Sequence, residues 1–192
     1  MSDLPAGGTP RPMTRWGTPV LHALCRPVGS FDAELAALVA DMVATMYAAD
    51  GVGLAANQVG VGLRVFVFDC QDDDGAHHRG VVCNPTLVVP EGRNRVLDES
   101  AEGCLSLPGA FAPLARPDVA SVSGVDHHGE PVEFSGSGIV ARCLQHEADH
   151  LEGLVFADRL SARVRRSLHK EAERLADGYP PGWPVASADG AV

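Results

Sequence analysis

Gln145-His146-Glu147-Ala148-Asp149-His150-Leu151-Glu152-Gly153 is the stretch from which this sequence is best read. It contains H-E-x-x-H, and its neighbours are compatible with a helix. Residues four apart on a helix lie about 6 Å apart on one face. His146 and His150 can therefore share one divalent metal, with Glu147 beside them to move a proton on a water at that metal. The blander reading is two surface histidines that happen to stand four apart.

Two histidines do not complete a catalytic site of this type, which needs a third protein ligand and an open position. The extended pattern with a third histidine three residues after Gly153 fails, because Phe156 stands there. A glutamate from a later helix is the second option. Glu171 and Glu173 are its candidates, in a stretch rich in Arg and Lys where surface ion pairs also explain them. Cysteine is the third option. Cys143 shares the histidine face but stands seven residues before His150, about 10 Å along the axis, so it reads as a pocket wall rather than a ligand. Cys70 and Cys83 sit in strand-like apolar runs as small buried hydrophobes. Cys104 lies in Glu102-Gly103-Cys104-Leu105-Ser106-Leu107-Pro108-Gly109, which suits a tight turn or a strand end. It is the favoured third ligand.

Outward from this centre, the metal helix is expected from about Ile139 to Leu151. Leu35, Leu38, Val39, Met42, Val43 and Met46 recur at three- and four-residue steps and mark an earlier amphipathic helix. Ser30 or Asp32 can cap its start, and Gly51 stands where a helix stops. A third helix is expected over Ser161–Asp177, with Val164, Leu168, Ala172 and Leu175 on one side. Leu63–Asp69 reads as a strand. Val81–Cys83, Thr86–Val89, Val119–Val125 and Val132–Phe134 read as further strands, and Asp72–Gly75 as a solvated turn. Strands in the middle with helices at start and end predict an α+β domain. The Pro/Gly-rich residues 1–14 read as a loose arm, 15–177 as one catalytic domain, and 178–192 as a disordered tail.

The chain has 192 residues, enough to bury a core as one domain. Fifteen Lys+Arg against 25 Asp+Glu give a net charge of −10, which argues against a duplex-DNA surface spread over the molecule. The sequence has no apolar run long enough to span a bilayer and no secretory leader at its start, so a cytoplasmic protein is expected. An odd count of five cysteines in that setting suggests reduced thiols.

Three segments, in order, resemble the signature motifs of the peptide deformylases. They are Gly51-Val52-Gly53-Leu54-Ala55-Ala56-Asn57-Gln58, Glu102-Gly103-Cys104-Leu105-Ser106, and Gln145 to Gly153. Gly17-Thr18-Pro19-Val20-Leu21 resembles that family's N-terminal segment, and the likeness, bacterial and especially actinobacterial in character, covers Arg15 to Leu160. It implies hydrolytic removal of the formyl group from the N-terminal formyl-methionine of new polypeptides, releasing formate. The implied fold wraps small mixed or antiparallel sheets around the metal-binding helix.

Carried over by position, the resemblance implies Cys104, His146 and His150 as metal ligands and Glu147 as general base and then acid. Gln58 and the backbone N–H of Leu105 would bind the developing oxyanion, and Gly53 would help hold the peptide backbone. Such a donor is worth about 3 kcal/mol in comparable oxyanion holes. Fe²⁺ is the implied metal in the cell, with Zn²⁺, Ni²⁺ or Co²⁺ able to take the same ligands. Without the resemblance, Gln58 reads as a polar residue after a Gly/Ala turn. Arg142 departs from the family, which is often apolar there. It either borders the methionine pocket and alters side-chain preference, or is a solvated arginine on the outer helix face.

Two other expectations complete the reading. An H-E-x-x-H metallopeptidase using Glu171 or Glu173 is the alternative enzyme. Between Asp158 and Asp177, six basic residues face four acidic ones, so the C-terminal helix is a candidate dock for ribosomal RNA phosphates. Its plain counterpart is a solvated helix with internal ion pairs.

Overall fold

The computed structural model describes residues 4–72 and 75–185. Helix α1 (Ala33–Ala48) starts at Asp32, whose carboxylate accepts the N–H groups of Glu34 and Leu35, so Asp32 rather than Ser30 is the cap. Its expected stripe, Leu35 through Met46, is buried. That stripe packs on a five-stranded sheet ordered β1 (Gly53–Ala55), β2 (Val65–Gln71), β3 (His77–Val88), β8 (Val119–Val125) and β9 (Pro131–Ser137). Two small sheets complete the fold, β4 (Leu97–Asp98) with β7 (Arg116–Pro117), and β5 (Ala101–Cys104) with β6 (Leu107–Pro113). Every ladder between these strands is antiparallel.

The two strands expected at 81–83 and 86–89 are one, β3, with a register shift between Cys83 and Thr86. Asn84 there has φ 51° and its side chain clasps both the N–H and the carbonyl of Val28. Pro85 lacks an N–H, so a bulge accommodates it without ending the strand. Of the expected Asp72–Gly75 turn, residues 73–74 lie outside the described residues.

Helix α2 (Gly138–Leu151) runs beneath β1, β2, β8 and β9. Nearly all of it is buried, including Arg142, Gln145, His146, Glu147, Asp149 and His150. Charged side chains are almost never buried unless paired or ligating, so this helix must carry its own compensation. Helix α3 (Ala162–Arg174) lies against β6 and buries Leu168.

Both chain ends differ from expectation. Thr9 N–H and Arg11 Nε donate to Asp41, and Arg11 N–H donates to Thr45, so the expected loose arm lies along α1. The segment expected as a disordered tail packs back on the domain as far as Trp183. Trp183 O accepts the N–H of Met13 at 2.8 Å, and Arg15 donates to Tyr179 O at 2.9 Å. Pro and Gly stop the helix there, but two aromatic rings give the segment area worth burying. Residues 186–192 lie outside the described residues. Among the described residues, no helix is long and apolar enough to cross a membrane.

Candidate metal centre

His146 and His150 project from one face of α2 with their Nε2 atoms 3.2 Å apart. Cys104, at the end of β5 where the pairing register with β6 shifts, brings its Sγ within 3.4 Å of His150 Nε2. The three donor atoms all lie within 4.8 Å of one another and are buried. A tetrahedral ion with bonds of 2.0–2.3 Å has ligand–ligand edges of about 3.3–3.8 Å. The observed spacings and the imidazole/thiol chemistry fit such an ion. Glu171 instead pairs with Arg174 on the exposed face of α3, and neither it nor Glu173 joins the cluster. The downstream-glutamate alternative is therefore corrected.

Glu102 orients the triad. One of its oxygens accepts from His146 Nδ1 at 2.7 Å, which leaves Nε2 with its lone pair facing the other ligands. Glu102 also takes hydrogen bonds from Arg116 (2.8 and 2.6 Å) and Arg142 (2.9 Å). Burial alone would raise its pKa, but the bonds from Arg116 and His146 outweigh that and hold it well below the usual carboxylate range. Arg116 continues to Asp149 at 2.8 Å, and Asp149 continues to Arg159.

Arg142 is buried in this network. It also donates to Asp98 and to the carbonyl of Leu114, which corrects the reading of a solvated outer-face arginine. It reaches the cleft wall while spending its donors on those partners. Sequence reading quoted Glu102 only as part of a motif and missed its role, together with Arg116 and Asp149. Arg116 comes from β7, in a Pro-rich segment with no local signal for a buried cation.

A cleft of about 560 Å³ opens over the triad, with Gly53, Gln58, Leu105, Cys143 and Glu147 on its walls. Glu147 is buried, its Oε2 has no hydrogen-bond partner among the described residues, and burial pushes its pKa up to about 7. A Cβ added at Gly53 would lie 2.5 Å from Glu147 Oε1 and 2.7 Å from Cys143 Sγ, so any other residue there must displace those side chains. Gln58 Oε1 accepts from Ala55 N–H at 2.9 Å, which aims its Nε2 toward Cys104 Sγ (3.6 Å) and Ser106 Oγ (3.4 Å). Leu105 sits in the link between β5 and β6, immediately after Cys104. Cys143 touches the carbonyl of Val52 at 3.5 Å and stays outside the ligand cluster. The neighbouring Cys70 thiol and burial hold its pKa well above normal, so it is a neutral wall. All five cysteines are free thiols.

An α+β fold presenting a Cys/His/His cluster and a buried, unpartnered glutamate to one cleft defines a metal-dependent hydrolase. The chain belongs to the polypeptide deformylase family, whose profile matches residues 10–166. It is 56% identical to peptide deformylase 1 of Streptomyces avermitilis over 95% of this chain and 82% of that protein. With the peptide deformylase of Mycolicibacterium paratuberculosis the identity is 49%, over 85% and 88%. The crystal structure of a peptide deformylase from Legionella pneumophila superposes with a TM-score of 0.76 at 38% identity, covering 90% of this chain and all of that one. One from Synechococcus elongatus in complex with actinonin gives 0.75 at 34%, covering 93% and 95%. The alternative of a metallopeptidase with a downstream ligand has no support in either the site or these relatives.

Proposed function

We propose that this chain removes the formyl group from the N-terminal formyl-methionine of new polypeptides, releasing formate, with a metal held by Cys104, His146 and His150. The convergence of Cys104 and His146 with Glu147 and Gln58 on a single cleft, with His150 buried behind them, carries the reading. A divalent ion bound there supplies Lewis acidity, lowering the pKa of water and polarising the formyl carbonyl. Glu147, buried beside the ligands with its Oε2 left without a partner among the described residues, takes the proton of the attacking water and delivers it to the leaving amine. Gln58 Nε2 and the N–H of Leu105 donate to the oxygen as it becomes negative, and Ala55 fixes the Gln58 amide in advance. Gly53 lets the peptide backbone approach, and Cys143 lines the methionine pocket. All of these residues lie within 15–177, the expected catalytic domain.

Fe²⁺ is the proposed resident ion, with Zn²⁺, Ni²⁺ and Co²⁺ compatible with the same imidazole and thiolate donors. The setting is cytoplasmic, where formylated chains emerge. Docking of α3 on ribosomal RNA is proposed through Arg163, Arg166 and Lys170, which are exposed and have no acidic partner among the described residues. Arg159, Arg165 and Arg174 pair with acids and are spent. Metal analysis of anaerobically purified protein, paired with formate release from formyl-Met-Ala-Ser, tests the central reading. Formate release with about one iron per chain supports it, and a metal-loaded protein that releases none overturns it.

A further inference from the structure

Beyond α3 the chain turns back and walls one side of the catalytic cleft, outside the 10–166 segment that matches the family. Tyr179 and Trp183 are half-buried there, edge to face with ring centroids 5.2 Å apart. Tyr179 packs on Gly109, whose φ is +78°, and a Cβ at that glycine would stand 2.9 Å from the tyrosine ring. Trp183 is pinned on two sides. Its carbonyl accepts from Met13 N–H, and the Arg15 guanidinium lies 5.4 Å from its ring centroid. The same guanidinium donates to the carbonyl of Tyr179. The two rings are thus fixed before any ligand arrives, which lowers the entropy cost of using them.

We propose that Tyr179 and Trp183 form an aromatic subsite for the second or third residue of the formylated peptide, favouring an aromatic or large apolar side chain there. The inference rests on the deformylase reading. The cleft is buried around Glu147, Cys143 and Gly53, whereas Asp50, Val52 and Phe111 at its rim are exposed. A substrate whose reacting group sits over the triad must lead its remaining chain out across that rim, past the strap. What it meets on the strap side is apolar, the two rings with Leu105 and Pro108. Aromatic pairs gain attraction beyond area burial, enough for about a three- to tenfold preference. Arg15 is a positioning residue here, since it lies against the Trp183 ring and holds the backbone carbonyl of Tyr179.

The test compares kcat/KM for formyl-Met-Ala-Ser, formyl-Met-Ala-Phe and formyl-Met-Phe-Ser. Wild type should favour at least one phenylalanine peptide by about three- to tenfold. That ratio should fall toward one in Trp183→Ala, Tyr179→Ala and Arg15→Ala, and return in Trp183→Phe. A wild type without preference, variants with an unchanged ratio, or an equal loss on all three peptides overturns the proposal. In a Trp16→Phe background, Trp183 fluorescence should change on adding at least one of the peptides Met-Ala-Phe and Met-Phe-Ser, and a change with neither overturns the proposal. It should not change with Met-Ala-Ser. This readout does not depend on turnover, so an enzyme inactive on formyl-Met-Ala-Ser would sink the deformylase reading while leaving the subsite testable.

Discussion

Glu102 accepts a 2.7 Å hydrogen bond from His146 Nδ1, and through that bond the metal cluster is joined to a buried ion-pair network. Three arginines, Arg116, Arg142 and Arg159, are matched there by three carboxylates, Asp98, Glu102 and Asp149. Removing one partner of a buried pair costs about 3–5 kcal/mol, and loss of an outer hydrogen bond to a ligating histidine costs about 10–100-fold in metal affinity. Glu102→Gln should show both, by urea denaturation and by metal competition titration. Unchanged metal affinity would mean that the orientation of His146 is set elsewhere.

Glu147→Ala should keep one metal per chain and lose about 10²–10⁴-fold in kcat, the usual worth of a positioned acid–base group. Metal content and formate release are measured on the same preparation. Loss of the metal would instead make Glu147 part of the binding site.

Adding a methyl group at Gly53 drives a Cβ into Glu147 Oε1 and Cys143 Sγ. Gly53→Ala should therefore lower kcat/KM with metal content intact, because the general base must swing away. Overpacking of this kind costs about 1–3 kcal/mol. A variant with normal kcat/KM would show that the carboxylate can move without loss.

The two cysteines nearest the cleft should separate cleanly. Cys104→Ser should lose the metal, since it removes one of three clustered donors. Cys143→Ser should retain the metal and raise KM, since its sulfur faces the Val52 carbonyl and stays outside the cluster. The opposite pattern of metal content would reverse their roles.

Asp98 links the network to acid stability. Hydrogen bonds from Ser100 and then Arg142 lower its pKa to about 2. A folded pKa below the unfolded value, near 3.9, means stabilisation that is complete above about pH 4 and lost as pH falls toward 2. Asp98→Asn should therefore flatten the stability profile between pH 4 and 2, read by urea denaturation. An acid limb as steep as that of the wild type would assign it to other carboxylates.

The H-E-x-x-H spacing and the stripe of α1 depend on helical periodicity, so the sequence by itself determined them, whereas the choice of Asp32 over Ser30 as the cap came from the hydrogen bonds in the structure. The same periodicity kept Cys143 away from the ligand set, since seven residues of helix are too long for one ion to bridge. The choice of Cys104 over Glu171 or Glu173 could not come from local spacing, because β5 and α2 are brought together only by the packed sheets. The family motifs made that choice legible, and the observed cluster agrees with it. Arg142 could be read two ways from its helix position, and only the packing of Glu102, Asp98 and the Leu114 carbonyl around it decided that it is buried and paired. The Pro/Gly-rich ends read as loose because the chain there cannot form helix or sheet. Their order comes from contacts with distant residues, Arg11 on Asp41 and Trp183 on Met13 and Arg15, and such contacts leave no period in a sequence.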